Sequence, residues 1–198
     1  MVIHTKKSFI HWNYFLALQN DLAEVSRYIE FDKPNYKTYS IELSHLLLAS
    51  ASEVDVVAKG ICKYLEPSSS PKNINEYRGI ITKKLPDFSK EHVYVPRFNI
   101  NFRPWINWTK KNKTNPLWWK AYNDVKHNRS EQFANANLKH VLNSMGGLLV
   151  SVFYFYKLQF IEEGRVIKAN DDVFIILDSD GGFMQLQDAY YPQTILWG

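Results

Sequence analysis

Apolar residues recur at three- and four-residue spacing through most of the first 65 positions of this chain, and that period predicts two helices. Between Ser8 and Glu30 the apolar set is Phe15, Leu18, Leu22, Val25 and Ile29, while Asn20, Asp21, Glu24 and Arg27 fill the opposite face. Asp32-Lys33-Pro34-Asn35 breaks the pattern. A second, longer helix is expected from Thr38 to Leu65, with Ile41, Leu47, Ala51, Val54, Ala58, Ile61 and Leu65 on one side and Leu43, Leu46 and Val57 widening the stripe. A stripe that wide places this helix at the centre of a bundle. Its polar residues Glu42, His45, Glu53 and Asp55 then need partners.

Pro67-Ser68-Ser69-Ser70-Pro71 ends the central helix and opens an irregular insertion over about 67–115. Within it a short helix is expected from Ile74 to Lys84, and extended pieces at His92–Val95 and Phe98–Phe102 around Pro96. A third main helix starts near Pro116, a residue suited to the first turn, and ends near His127. Asn128-Arg129-Ser130-Glu131 reads as a capping box that starts the fourth helix directly, and that helix continues through Phe133, Leu138, Val141, Met145, Leu148, Leu149, Val152 and Phe153. The adjacent Gly146 and Gly147 would let another helix approach closely. In the tail, Arg165–Lys168 and Val173–Leu177 read as strands, Asp178 to Gly182 as a turn, and Thr194–Trp197 as a short extended end.

These elements predict a mainly α fold. It is an antiparallel bundle of four main helices over 1–160, carrying the irregular insertion, followed by a small β-containing C-terminal appendage over 161–198.

The chain has 198 residues, enough for one core, and one cysteine, so no internal disulfide can form. Cys62 falls within the central helical pattern and is expected to be a small buried side chain. Met1 to Ile10 has no apolar leader-like run, and no later run looks long enough for the roughly 18 apolar residues of a membrane span. A cytoplasmic protein with no membrane partner is the expectation. Net charge is +4, yet residues 59–129 hold 15 Lys and Arg against 5 Asp and Glu, while 161–198 hold 2 against 7. Four of the six tryptophans (Trp105, Trp108, Trp118, Trp119) lie in the basic part. Cations interleaved with flat rings suit a single-stranded nucleic acid; the same tryptophans also suit a core, and Lys110-Lys111-Asn112-Lys113 a solvated loop.

Candidate chemistry gathers in the stretch from Trp118 to Arg129. Asn123 and His127 are four apart and share a helix face, with Trp119 one turn earlier, Tyr122 and Lys126 alongside, and Arg129 just beyond. An imidazole there can exchange protons near neutral pH, and Lys126 or Arg129 can hold a phosphate. Alternatively, Asn123 and His127 tie the helix end to Glu42, Glu53 or Asp55. In either case Asn123, His127 and Arg129 are expected to share a polar pocket with one of those acids. His45 is expected at the core edge and His140 in a hydrogen bond within the bundle, while His4, His11 and His92 are poorly constrained. No HExxH, Cys/His or phosphate-loop spacing occurs, so neither a metal nor a cofactor is expected.

The run Tyr39 to Val54, paired with Tyr122-Asn123-Asp124-Val125-Lys126-His127, resembles the HEPN superfamily of helical-bundle proteins. That family carries an R-x(4–6)-H motif, often with Asn after the Arg, near the junction of its last two main helices. Its ribonuclease members set the His and Arg of two subunits face to face in a metal-independent site, and many other members only bind. Here His127 matches the motif histidine and Asn123 the polar residue, while Tyr122 stands at the arginine position. An uncharged Tyr cannot stabilise a developing phosphorane. The resemblance therefore implies first a noncatalytic module that dimerises and binds RNA, a nucleotide or a protein partner, with Trp119, Tyr122, Lys126 and Glu53 as binding residues. Its alternative is a metal-independent endoribonuclease of a toxin or defence system with His127 as acid/base and Arg129 or Lys126 as phosphate holder. A purely structural scaffold using the aromatic insertion is the third possibility.

Overall fold

A computed structural model describes residues 8–109, 114–168, 170–177 and 182–186. The fold is mainly α, with seven α-helices and a three-stranded antiparallel sheet among the described residues. Helix α1 is Ile10–Val25, α2 is Ile41–Leu65, α3 is Ile74–Lys84, α4 is Leu117–His127, α5 is Arg129–Gln132, α6 is Leu138–Glu162 and α7 is Asn170–Leu177.

The central pair is α2 and α6, which pack most extensively on each other and are flanked by α1, α3 and α4. Ser40 caps α2 by accepting from the Leu43 N–H at 3.1 Å, which fixes the start of the helix three residues beyond the predicted Thr38. The stripe predicted for α2 is buried at Leu43, Leu46, Leu47, Ala51, Val54, Val57, Ala58 and Ile61, but Ile41 is 63% exposed. Ile41 lies in the first turn, at an open cleft it shares with Arg129, Ser130 and Phe133. Cys62 is fully buried, and burial together with the neighbouring Glu66 pushes its thiol up to about 12, so it is an inert core side chain.

Gly146 and Gly147 face the insertion and α4. A Cβ at Gly146 would stand 2.7 Å from the Phe102 ring, and one at Gly147 2.8 Å from the Trp118 ring. Helix α6 is also long and apolar enough to cross a membrane by length and composition, contrary to the sequence reading. In this fold 78% of its most apolar stretch is buried, because α2, α1 and α4 clothe it.

The extended pieces of the insertion form the hairpin β1 (Val93–Val95) and β2 (Ile100–Phe102), with Val93 opposite Phe102 and Val95 opposite Ile100. The tail supplies β3 (Gln185–Leu186), which pairs antiparallel with β1 to give the order β2-β1-β3. Insertion and tail thus complete one sheet, and Met184, Leu186, Val173 and Leu177 are buried in the same core as the bundle.

The tail and the start of the fourth helix also depart from the sequence reading. Val173–Leu177 is helical in α7: Val173 and Leu177, one turn apart, are buried while Ile175 is 74% exposed, and a short run of Val, Ile and Leu serves either period. Arg165–Lys168 forms no strand. The second change is the start of the fourth helix. Asn128 gives its Nδ2 hydrogen to Glu131 Oε2 at 2.8 Å and caps no backbone N–H, so only the single turn α5 follows. A 3-10 turn at Phe133–Asn135 comes next, and α6 begins at Leu138 with Asn137 accepting from the His140 N–H. Asn135 and Asn137 offer side-chain alternatives to helical bonding, which breaks the run. Residues 178–181 of the expected turn at Asp178 to Gly182 and the extended end at Thr194–Trp197 lie outside the described residues, as do His4 and Lys110–Lys113.

Candidate functional site

The tryptophans are core. Trp105, Trp108, Trp118 and Trp119 are between 1% and 8% exposed, and Trp105 touches Trp108, Trp118 and Phe88 at centroid distances of 4.3, 5.1 and 5.4 Å. The Trp105 and Trp118 indoles donate to the carbonyls of Gly147 and Pro104. These rings hold the insertion onto α6 and offer no free face to a base, so the aromatic stacking surface read from the sequence is not formed by them.

Helix α4 buries Trp118, Trp119, Ala121, Tyr122 and Val125 and turns its polar residues outward. Trp119 and Tyr122, expected to bind, therefore lie beneath the surface. Lys126 covers Tyr122, with its Nζ donating to Tyr122 Oη at 3.2 Å and lying 5.3 Å from the ring centroid. Asn123 donates to the Trp119 carbonyl one turn back, a bond that serves its own helix. His127, the last residue of α4, is exposed and makes no hydrogen bond or ion pair with another described residue.

The expected shared pocket with an acid does not form. Glu53 accepts from His11 at 2.5 Å, both side chains being less than a fifth exposed, and the Tyr156 hydroxyl accepts the His11 backbone N–H. Asp55 takes the Tyr77 hydroxyl at 3.0 Å and pairs with Lys59. The Tyr77 hydroxyl is held well above its ordinary pKa by burial and by that carboxylate. Glu42 is 3.8 Å from His45, both largely exposed, so His45 is a surface residue rather than a core-edge one. Distance accounts for the two later acids: Arg129 of α5 reaches α2 at Ser44, and Glu53 lies roughly 13 Å farther along the axis at 1.5 Å per residue.

What the structure does assemble is centred on Arg129. Its Nη2 donates to Ser44 Oγ at 3.0 Å, and Ser44 is fully buried. Arg129, Ser130, Ile41 and Phe133 line an open cleft of about 360 Å³. Tyr39 packs edge-on against Phe133 at 5.6 Å. The Leu138 N–H donates to the Thr38 carbonyl, which fastens the α5–α6 connection to the entry of α2. No carboxylate pairs with Arg129 among the described residues, so most of its five N–H donors remain available. The cleft also lies beside the N-terminus of a 25-residue helix, whose dipole favours negative charge. A cleft lined by both an arginine and an apolar ring suits a ligand with an anionic group joined to a flat or apolar one. Among the described residues no three His, Cys, Asp or Glu are grouped to hold a metal ion.

Sequence reasoning singled out Arg129 but missed Ile41, Ser44, Ser130 and Phe133. Ile41 and Phe133 both fitted the apolar period and looked like core. The break after α5, which turns Phe133 outward, depends on asparagines read as part of a continuous helix.

The junction also carries a titratable group. His140 Nδ1 lies 2.8 Å from the Asn135 carbonyl, as expected for a bundle hydrogen bond, and burial lowers its pKa. A histidine kept neutral in the folded state contributes stability that is present above its unfolded pKa of about 6.5 and lost as pH falls through the lower folded value. Urea unfolding followed from pH 7.5 down to 5 is expected to show a loss of stability that His140→Gln reduces. An identical pH profile in that variant would refute the assignment.

Compared with family models, with curated proteins and with solved structures, the chain finds no match in any of the three.

Proposed function

We propose that this chain is a noncatalytic, HEPN-like module that dimerises and binds single-stranded RNA or a nucleotide through the Arg129 cleft. The observation that carries the reading is the Arg129 side chain itself, anchored on buried Ser44, without a carboxylate partner among the described residues, and lining an open cleft together with Phe133 and Ile41. A phosphate answers the guanidinium and a base answers the ring. Lys126 and the exposed lysines and arginines of 59–129 add the charge along which a polyanion would lie.

The noncatalytic reading is favoured by two residues. Tyr122, at the motif's arginine position, is buried beneath Lys126. His127 has no partner among the described residues to set its tautomer or aim its ring. The test is fluorescence anisotropy with a labelled single-stranded RNA and, separately, a labelled mononucleotide, comparing wild type with Arg129→Ala. Binding that depends on Arg129 is the expected result. Failure of both probes to bind, or equal binding by the variant, overturns the proposal.

A further inference from the structure

The central helix α2 is covered by α6, α1, α3 and α4, yet one face stays open along its whole length. Ile41 is 63% exposed and Val56 50%, His45 and Ser52 are exposed, and Ala49 is half-buried between them. At about 100° per residue these five fall within a sector roughly 80° wide, which is the width of a helix–helix contact. Small side chains, Ala49 and Ser52, occupy its middle. The ends carry opposite charge. Glu42 faces only the exposed His45 at 3.8 Å, and Lys63 has no carboxylate partner among the described residues.

We propose that this face of α2 is the site where a second copy of the chain docks, antiparallel, with Glu42 of each copy paired to Lys63 of the other. The positions are self-complementary. Glu42 and Lys63 lie ten and eleven residues to either side of Ser52, and Ala49 and Val56 three and four to either side. A twofold axis beside Ser52 therefore sets Glu42 against Lys63 and Ala49 against Val56, each twice, and Ser52 near its own equivalent. The small central residues allow the two helices to approach closely, and the charges at the ends select the antiparallel sense over the parallel one, which would set Glu42 on Glu42. A parallel pairing is thereby disfavoured by like charge. A single pair of helix faces is at the low end of stable interface sizes, so the dimer should be concentration-dependent in the micromolar range. The inference rests on the proposed dimerising module for its partner, and specifies the surface.

The experiment is light scattering coupled to gel filtration, over a concentration series of the full chain. Wild type is expected to approach twice the 23.3 kDa chain mass at tens of micromolar. Glu42→Lys and Lys63→Glu are each expected to remain at the chain mass, and the double variant to recover the dimer. These side chains are exposed, so far-UV circular dichroism and thermal midpoint serve as a check that each variant is folded. Ser52→Trp, which blocks close approach at the axis, is expected to be monomeric while retaining Arg129-dependent RNA binding, which separates failure of this interface from failure of the ligand reading. Wild type at the chain mass throughout, a dimer that survives both single charge changes, or a double variant that stays monomeric would each overturn the proposal.

Discussion

Trp105→Ala is expected to destabilise the fold by about 3–5 kcal/mol, the range for removing a large aromatic from a packed core. Trp105 is 1% exposed and is the hub of a ring cluster joining Phe88, Trp108 and Trp118. Its indole donates to the Gly147 carbonyl at 3.1 Å, but Ser151 Oγ also donates to that oxygen, so the carbonyl keeps a partner and the cost is mainly the cavity. A loss of that size is a large fraction of the roughly 5–15 kcal/mol that holds a typical domain folded. Urea denaturation monitored by circular dichroism reads it directly. The same measurement separates the two meanings of a tryptophan in a basic stretch. A stacking residue on the surface would lose ligand affinity and keep stability, within about 0.5 kcal/mol, and a Trp105→Ala protein that behaved so would show this ring to be a binding surface.

That choice was not legible in the sequence. Lys, Arg and Trp interleaved between 97 and 120 satisfy the composition of a nucleic-acid groove and of an aromatic core under a basic skin equally well. Only the approach of Gly146 and Gly147, which make room for Phe102 and Trp118, decides that the rings turn inward. The two glycines were visible as a place of close approach, whereas the identity of the approaching group, a hairpin ring and an α4 ring, depends on the path of a 50-residue insertion. By contrast, the central place of α2 and the existence of a long apolar helix through Val141 to Phe153 were legible, because each carries a long run with a clear helical period and a wide apolar face.

The failures have local physical causes. Asn128 and Glu131 have the residue types and spacing of a capping box, but the asparagine amide bonds the glutamate directly and leaves the backbone N–H groups alone. A competition between two hydrogen bonds of similar strength has no signature in residue order. The acids of α2 were expected to meet α4, and Glu53 instead meets His11, a residue 42 positions earlier. Periodicity says which side of a helix a carboxylate lies on, and not which neighbour crosses at that height. The height at which Arg129 of α5 reaches Ser44 puts the assembled site about two and a half turns nearer the entry of α2 than Glu53.

Against this background Arg129→Ala is expected to weaken RNA binding about 10- to 100-fold, since a charge-assisted hydrogen bond contributes roughly 1.5–3 kcal/mol and each 1.4 kcal/mol is tenfold in affinity. Arg129→Lys keeps the charge but not the planar fork that can bond Ser44 and a phosphate together, so it should recover only part of the loss. The salt dependence of binding should flatten by about one unit of slope in Arg129→Ala, as for the removal of one phosphate contact. His127→Ala is the contrasting substitution. An exposed imidazole with no partner among the described residues contributes little to a ground-state complex, so affinity should be unchanged and the RNA should remain intact in EDTA with either protein. A ribonuclease behaves in the opposite way: His127→Ala abolishes cleavage while binding persists, because the proton transfer it performs is needed only in the transition state. EDTA-resistant cutting by wild type that disappears in His127→Ala would therefore replace the binding module with the enzyme. Intact RNA together with an Arg129-dependent affinity leaves the cleft as a site that holds its ligand and does not act on it.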